Sequence, residues 1–115
     1  MVHRQIALLL LAISLILGCT KKDYKSGEAV YEGECAKCHK LNGSGGTKGP
    51  DLTNIFEKHD EQYIRDYTQD PRSIKADSVM PPAKIDDKQF EMLIDYLRKS
   101  ARKHASLDPN HSDQR

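Results

Sequence analysis

The sequence predicts an all-α fold, on three observations. Phe90, Leu93, Ile94, Leu97 and Ala101 recur at i, i+3, i+4, i+7 and i+11, forming one apolar helical face. A second segment, Glu61–Gln69, follows Asp60 as its cap and sets Tyr63, Ile64 and Tyr67 along one side. No stretch shows the period-two alternation of a strand, and no internal repeat is visible.

The chain has 115 residues, of which the first 18 read as a removable leader. His3 and Arg4 precede an apolar run of 12 residues, Ile6–Leu17. That is short of the roughly 20 residues a bilayer-spanning helix needs, and basic flank plus short apolar core is an export signal. Its ending, Ile16-Leu17-Gly18-Cys19, resembles a bacterial lipobox, in which Cys19 is lipid-modified and begins the mature chain. Thr20 at the next position points to outer-membrane sorting if the cell has one. Without residues 1–18 the chain has 97 residues, enough for one domain, with 17 basic against 17 acidic. That balance argues against nucleic acid as a partner. With no Trp and only two Phe, so polar a chain needs apolar volume from elsewhere, and a bound cofactor would supply it.

Residues 19–25, the lipidated Cys and Thr20–Lys25, read as a polar tether of at most about 20 Å. Ser26 caps a helix expected to run to Ala36, with Ala29, Val30 and Tyr31 apolar. Leu41–Pro50 holds Gly43, Gly45, Gly46 and Gly49 and reads as a loop. No Gly-Lys-Ser/Thr follows and no strand precedes it, so it is not a phosphate cradle. Pro71 ends the Glu61–Gln69 helix, and Arg72–Lys84 lacks helical periodicity. Asp86 and Gln89 form a capping box for the last helix, and Ile85 and Phe90 its hydrophobic staple. The domain is placed at 26–101, and 102–115 reads as a polar, disordered tail.

The chemistry resides in Cys35-Ala36-Lys37-Cys38-His39. Cys-x-x-Cys-His is the attachment motif of c-type haem. Two thiols three positions apart on one helical turn reach the two vinyl groups of one haem, and the adjacent His supplies an imidazole to iron. A redox disulfide would sit beside a βαβ pattern, and half a zinc site would need a second Cys pair; neither is present. The candidates for a second axial ligand are Met80, Met92, His59, His104 and His111, the alternative being an open position on the iron. Met80 is favoured because Pro81 and Pro82 hold it in a stiff, non-helical segment; its ordinary alternative is to fill a core gap.

These residues together resemble the class I cytochrome c family. The resemblance runs over about Ser26–Lys99 and is carried by Gly27, Tyr31, Cys35–His39, Gly49-Pro50-Asp51-Leu52, Asp66-Tyr67, Pro71, Met80-Pro81-Pro82 and Leu93–Leu97. It implies the small cytochrome c fold, three to four helices around one covalent haem c, with His39 and Met80 as axial ligands. It also implies that the Pro50 carbonyl accepts a hydrogen bond from His39 Nδ1. Leu52 would pack on the haem, and Tyr67 would direct its hydroxyl at the Met80 sulfur. The first helix would cross the last at Gly27, while Lys48 and Tyr63 are candidates near the propionates. The function implied is single-electron transfer between redox proteins outside the cytoplasm, by an electron carrier rather than an enzyme. Lys37, Lys40, Lys48, Lys75 and Lys84 would offer a positive docking rim, interrupted by Asp51 and Asp77. The alternatives are a haem subunit of a larger oxidase or reductase, and a small peroxidase or gas sensor with a displaceable Met80.

Overall fold

A computed structural model of the protein describes residues 22–107. The leader, Cys19, Thr20 and His111 lie outside the described residues. Five helices follow one another in the described chain, α1 Gly27–Glu34, α2 Ile55–Lys58, α3 Glu61–Gln69, α4 Pro71–Ile74 and α5 Asp87–Leu107. Their starts follow the chemistry anticipated from sequence. Ser26 Oγ accepts from the Ala29 amide at 3.1 Å, and Asp60 Oδ1 from Tyr63 at 2.8 Å. The capping box of α5 is reciprocal: the Gln89 amide donates to Asp86 Oδ1 at 2.8 Å, and the Asp86 amide to Gln89 Oε1 at 3.1 Å.

Several elements differ from the sequence reading. The first helix stops at Glu34 instead of Ala36, because Cys35 and Ala36 both donate to the Tyr31 carbonyl and the chain tightens into a turn. One helical turn, α4, begins on Pro71, which needs no amide partner at a first helical position. The last helix continues through Leu107, past Arg102, so the tail is helical in its first part. Within the expected loop lies a hairpin of two short strands, β1 Lys40–Leu41 and β2 Ser44–Gly45. Its connection is Asn42-Gly43 with φ of 51° and 83°, a type I′ turn that needs positive φ at both positions.

The core lies where α1 crosses α5. Val30, Tyr31, Cys35, Leu41, Leu93 and Leu97 form one buried cluster, and Ile64, Phe90 and Ile94 a second. Phe56 and Ile85 pack against both. At the crossing the backbones nearly touch: a Cβ on Gly27 would stand 2.7 Å from the Met92 carbonyl carbon, and nearer still to its oxygen. Two arginines fasten the middle of the chain to α5. Arg65 lies over the Phe90 ring at 4.0 Å and pairs with Asp87 and Glu91. Arg98 lies over Phe56 at 4.4 Å and bonds Glu61 at 2.8 Å. Each guanidinium covers an aromatic face while keeping its charge at the surface. Among the described residues, no helix is long and apolar enough to cross a membrane.

Candidate haem-attachment site

The cysteine turn begins where α1 ends. Cys38 and His39 both donate to the Cys35 carbonyl, at 3.0 and 2.9 Å, closing residues 35–39 into a compact turn. Both cysteines are free thiols, Cys35 buried and Cys38 half-buried. Burial pushes the Cys35 thiol up to about 12, reinforced by the Glu34 carboxylate beside it.

His39 is 8% exposed and is held from three sides. Its Nδ1 donates to the Pro50 carbonyl at 2.8 Å. The position of that carbonyl is set by two backbone bonds, Gly49 to the Cys38 carbonyl at 2.7 Å and Leu52 to the Lys40 carbonyl at 2.9 Å. The Tyr31 hydroxyl donates to the His39 carbonyl at 2.9 Å. Burial pushes the Tyr31 phenol up to about 12. Gly49 faces the ring so closely that a Cβ there would lie 2.7 Å from Nδ1. With Nδ1 engaged, Nε2 is the nitrogen left to bind a metal.

Around that carbonyl the hairpin and Thr53 form a small polar brace. Thr53 donates to Asp51 Oδ1 through its amide at 2.8 Å and its hydroxyl at 2.6 Å, and accepts from the Asn42 amide at 2.8 Å. Those bonds to Thr53 hold the Asp51 carboxyl below the usual carboxylate range. Asn42 Nδ2 also donates to the Ser100 carbonyl at 3.2 Å, tying the turn to α5. Leu52 is half-buried against the cluster that contains Cys35.

Met80 belongs to a second group. It is half-buried in an extended stretch whose neighbour Val79 is 91% exposed. Buried Ser78 organises this stretch. Its hydroxyl meets the Tyr67 hydroxyl at 3.0 Å and accepts from the Met80 amide at 3.3 Å, and its carbonyl accepts from Arg72 Nε at 3.3 Å. Ala83 donates to the Thr68 carbonyl at 2.9 Å, closing the segment onto α3. Tyr67 bonds Ser78, the residue whose hydroxyl also accepts from the Met80 amide. His59 stacks on Tyr63 at 3.9 Å, and Tyr63 on Tyr67 at 5.7 Å, one aromatic row along α3.

The other candidates fall elsewhere. Met92 is half-buried within α5, and His104 is exposed on its last turns. Lys37, Lys48, Lys75 and Lys84 are exposed and Lys40 half-buried, but Asp77 lies 3.9 Å from Lys75. A cavity of about 480 Å³, lined by Tyr31, Ala36, Lys37, Leu41 and Tyr96 among others, lies beside the cysteine turn and includes neither His39 nor Met80. The roles of Ser78, Gly49 and Thr53 were not read from sequence. Asn42-Gly43 was the one available signal, because Asn-Gly marks a two-residue hairpin.

Two free thiols on one turn, followed by an imidazole oriented through its Nδ1, suit a covalently attached haem and define an α-helical haem domain of the c type. The cytochrome c family model matches residues 24–101, and the chain belongs to the cytochrome c family. It is therefore an electron-transfer haem protein whose family binds haem c covalently. It is also similar to cytochrome c oxidase subunit 2 of Alkalihalophilus pseudofirmus, at 32% identity over 82 residues. That match takes in 63% of this chain, which spans about a quarter (24%) of the relative's length. No solved structure matches the chain.

Proposed function

We propose that the protein is a monohaem electron carrier, lipid-anchored through Cys19 outside the cytoplasm, which passes single electrons between redox proteins at a membrane. The observation that carries this reading is the His39–Pro50 bond of 2.8 Å beside two free thiols. It fixes the imidazole and strengthens it as a donor, which serves a permanent axial ligand. Cys35 and Cys38 would hold the haem as thioethers, and His39 and Met80 would bind its iron. Bound haem would supply one-electron iron chemistry, and Met/His ligation favours the reduced state. Ser78 supports the Met80 assignment, because its bonds to Tyr67 and to the Met80 amide restrict the segment that must present the thioether. The lysines of the rim would steer an acidic partner, an attraction that weakens with salt.

A second reading, a haem subunit of a larger oxidase, draws on the similarity to an oxidase subunit 2. Both readings use the same site and differ in whether the chain is bound to a larger assembly after mild solubilisation of the membrane. Spectra of the membrane fraction, after expression with haem-maturation machinery, test the site itself. A c-type spectrum whose Met–iron charge-transfer band vanishes in Met80→Ala is expected. Absence of covalent haem despite good expression would end the proposal. Ready binding of carbon monoxide by the native reduced protein would favour a sensor or peroxidase.

A further inference from the structure

The segment Lys22–Lys25, part of the stretch read from sequence as a polar tether, is packed on the domain. The Tyr24 hydroxyl bonds Glu34 Oε1 at 2.6 Å, and Lys22 Nζ lies 3.0 Å from the same oxygen. From the other side, Gln89 Nε2 donates to the Lys22 carbonyl at 2.8 Å. The Tyr24 ring is partly buried against the main core cluster. It rests on Gly33, where a Cβ would come within 2.7 Å of its Cζ. Glu34 is thus shared between the segment and the residue preceding Cys35, and Gln89 between the segment and the α5 capping box.

We propose that Lys22–Lys25 is a docked strap, with Glu34, Gly33 and Gln89 as its clasp, which fixes the end of the domain that faces the membrane. This rests on the reading of Cys19 as the lipidated residue. Cys19 stands three residues before Lys22, a separation of at most about 10 Å at full extension. The Lys22 backbone is held by Gln89 and its side chain by Glu34, the residue before Cys35, so on this proposal this end of the domain is drawn to the lipid surface. A six-residue free tether would let the domain tumble over its whole surface; the clasp removes that freedom. The partner that fits this face is therefore the lipid surface itself, approached in one orientation.

The decisive variant is Gly33→Ala. Its methyl group occupies the place of the Tyr24 ring, while alanine suits the interior of α1 better than glycine, so the domain stays folded. Tyr24→Ala is the second variant, acting on the strap alone. The full-length lipidated holoprotein would be placed in vesicles of neutral phospholipid carrying a headgroup fluorophore, and energy transfer to the haem read as a lifetime distribution. The native protein is expected to give a narrow distribution at short distance, and both variants a broader one at longer distance. Equal distributions in all three would overturn the proposal. Amide order parameters of residues 23–25 in the same full-length protein give a separate readout, near about 0.85 for a docked strap and below about 0.6 for a free one. Failure to float with vesicles would sink the anchor reading, and with it the fixed orientation. High order parameters would then still establish the clasp, and low ones would remove it as well.

Discussion

Gly27→Ala offers the sharpest test of the fold, because one methyl group must enter a place where two backbones meet. The new Cβ would sit 2.7 Å from both the Met92 carbonyl carbon and Tyr96 Cβ, against 3.4 Å for ordinary contact. Its distance to the Met92 oxygen is shorter still. Backbone cannot swing aside as a side-chain tip does, so α1 and α5 must separate by at least the 0.7 Å shortfall. A gap of that size forfeits roughly a quarter to a half of each affected contact, here beneath Tyr31, Leu93 and Leu97. Overpacking costs about 1–3 kcal/mol, and alanine returns at most about 1 kcal/mol in helix propensity. The expected net loss is about 2 kcal/mol, a fall in Tm of roughly 8–16 °C for a domain this small. Thermal and denaturant unfolding of the holoprotein, followed by helical circular dichroism, measures it. Gly33→Ala, six residues along the same helix, is the control, since the three nearest atoms to its new Cβ all belong to the movable Tyr24 side chain. A Gly27→Ala midpoint equal to or above that of Gly33→Ala would refute the crossing.

Three further outcomes follow from the site. Gly49→Ala should push the His39 ring off the Pro50 carbonyl, weaken imidazole donation and raise the reduction potential, read by redox titration; an unchanged potential would count against the contact. Ser78→Ala removes the shared partner of Tyr67 and Met80, worth about 1.4 kcal/mol, and should make carbon monoxide binding to the reduced protein roughly tenfold more favourable. The Tyr31 phenol ionises near pH 10 when unfolded but at about 12 when folded, so the folded state holds its proton longer. The stability concerned is complete below pH 10 and falls by about 3 kcal/mol as pH rises to 12. Tyr31→Phe, studied by alkaline denaturation, should lack that fall.

What the sequence could reveal depended on whether the determining interaction was local. Asp60 with Tyr63, and Asp86 with Gln89, are three residues apart, so their caps could be read directly, and α3 and the start of α5 appeared where expected. The attachment motif was legible for the same reason, since five consecutive residues hold both thiols and the imidazole. The Pro50 partner of His39, eleven residues away, was reached only through family resemblance. Ser78 was missed because its role exists only when α3 brings Tyr67 to it, and no local pattern signals that meeting. The packing of Lys22–Lys25 on the domain is not legible from composition, because Lys22, Tyr24 and Lys25 look solvated; Glu34 and Gln89 lie 12 and 67 residues beyond Lys22. The length of α5 was underestimated for a different reason: Lys103, His104 and Ser106 carry no apolar periodicity, but helix once begun propagates cheaply.

The arrangement of the core ties folding to the cofactor, which yields a last prediction. Among the described residues, buried apolar side chains fall into two clusters, the second only Ile64, Phe90 and Ile94. Helix α3 is held to α5 through that small cluster and through Arg65 and Arg98, whose ion pairs are partly solvated and individually weak. The Met80 segment has little apolar anchorage of its own, with Val79 turned to solvent. A haem attached at Cys35 and Cys38 and bound on its other face by Met80 would join the first group of site residues to the second. A ligand bound only by the folded chain stabilises it, so the haem-free chain should lose far more than one contact. Cys35→Ser/Cys38→Ser, which cannot attach haem, is therefore expected to lose most of its helical ellipticity and its sharp unfolding transition. Native-like ellipticity with cooperative unfolding in that variant would show that α1, α3 and α5 form a sufficient core by themselves.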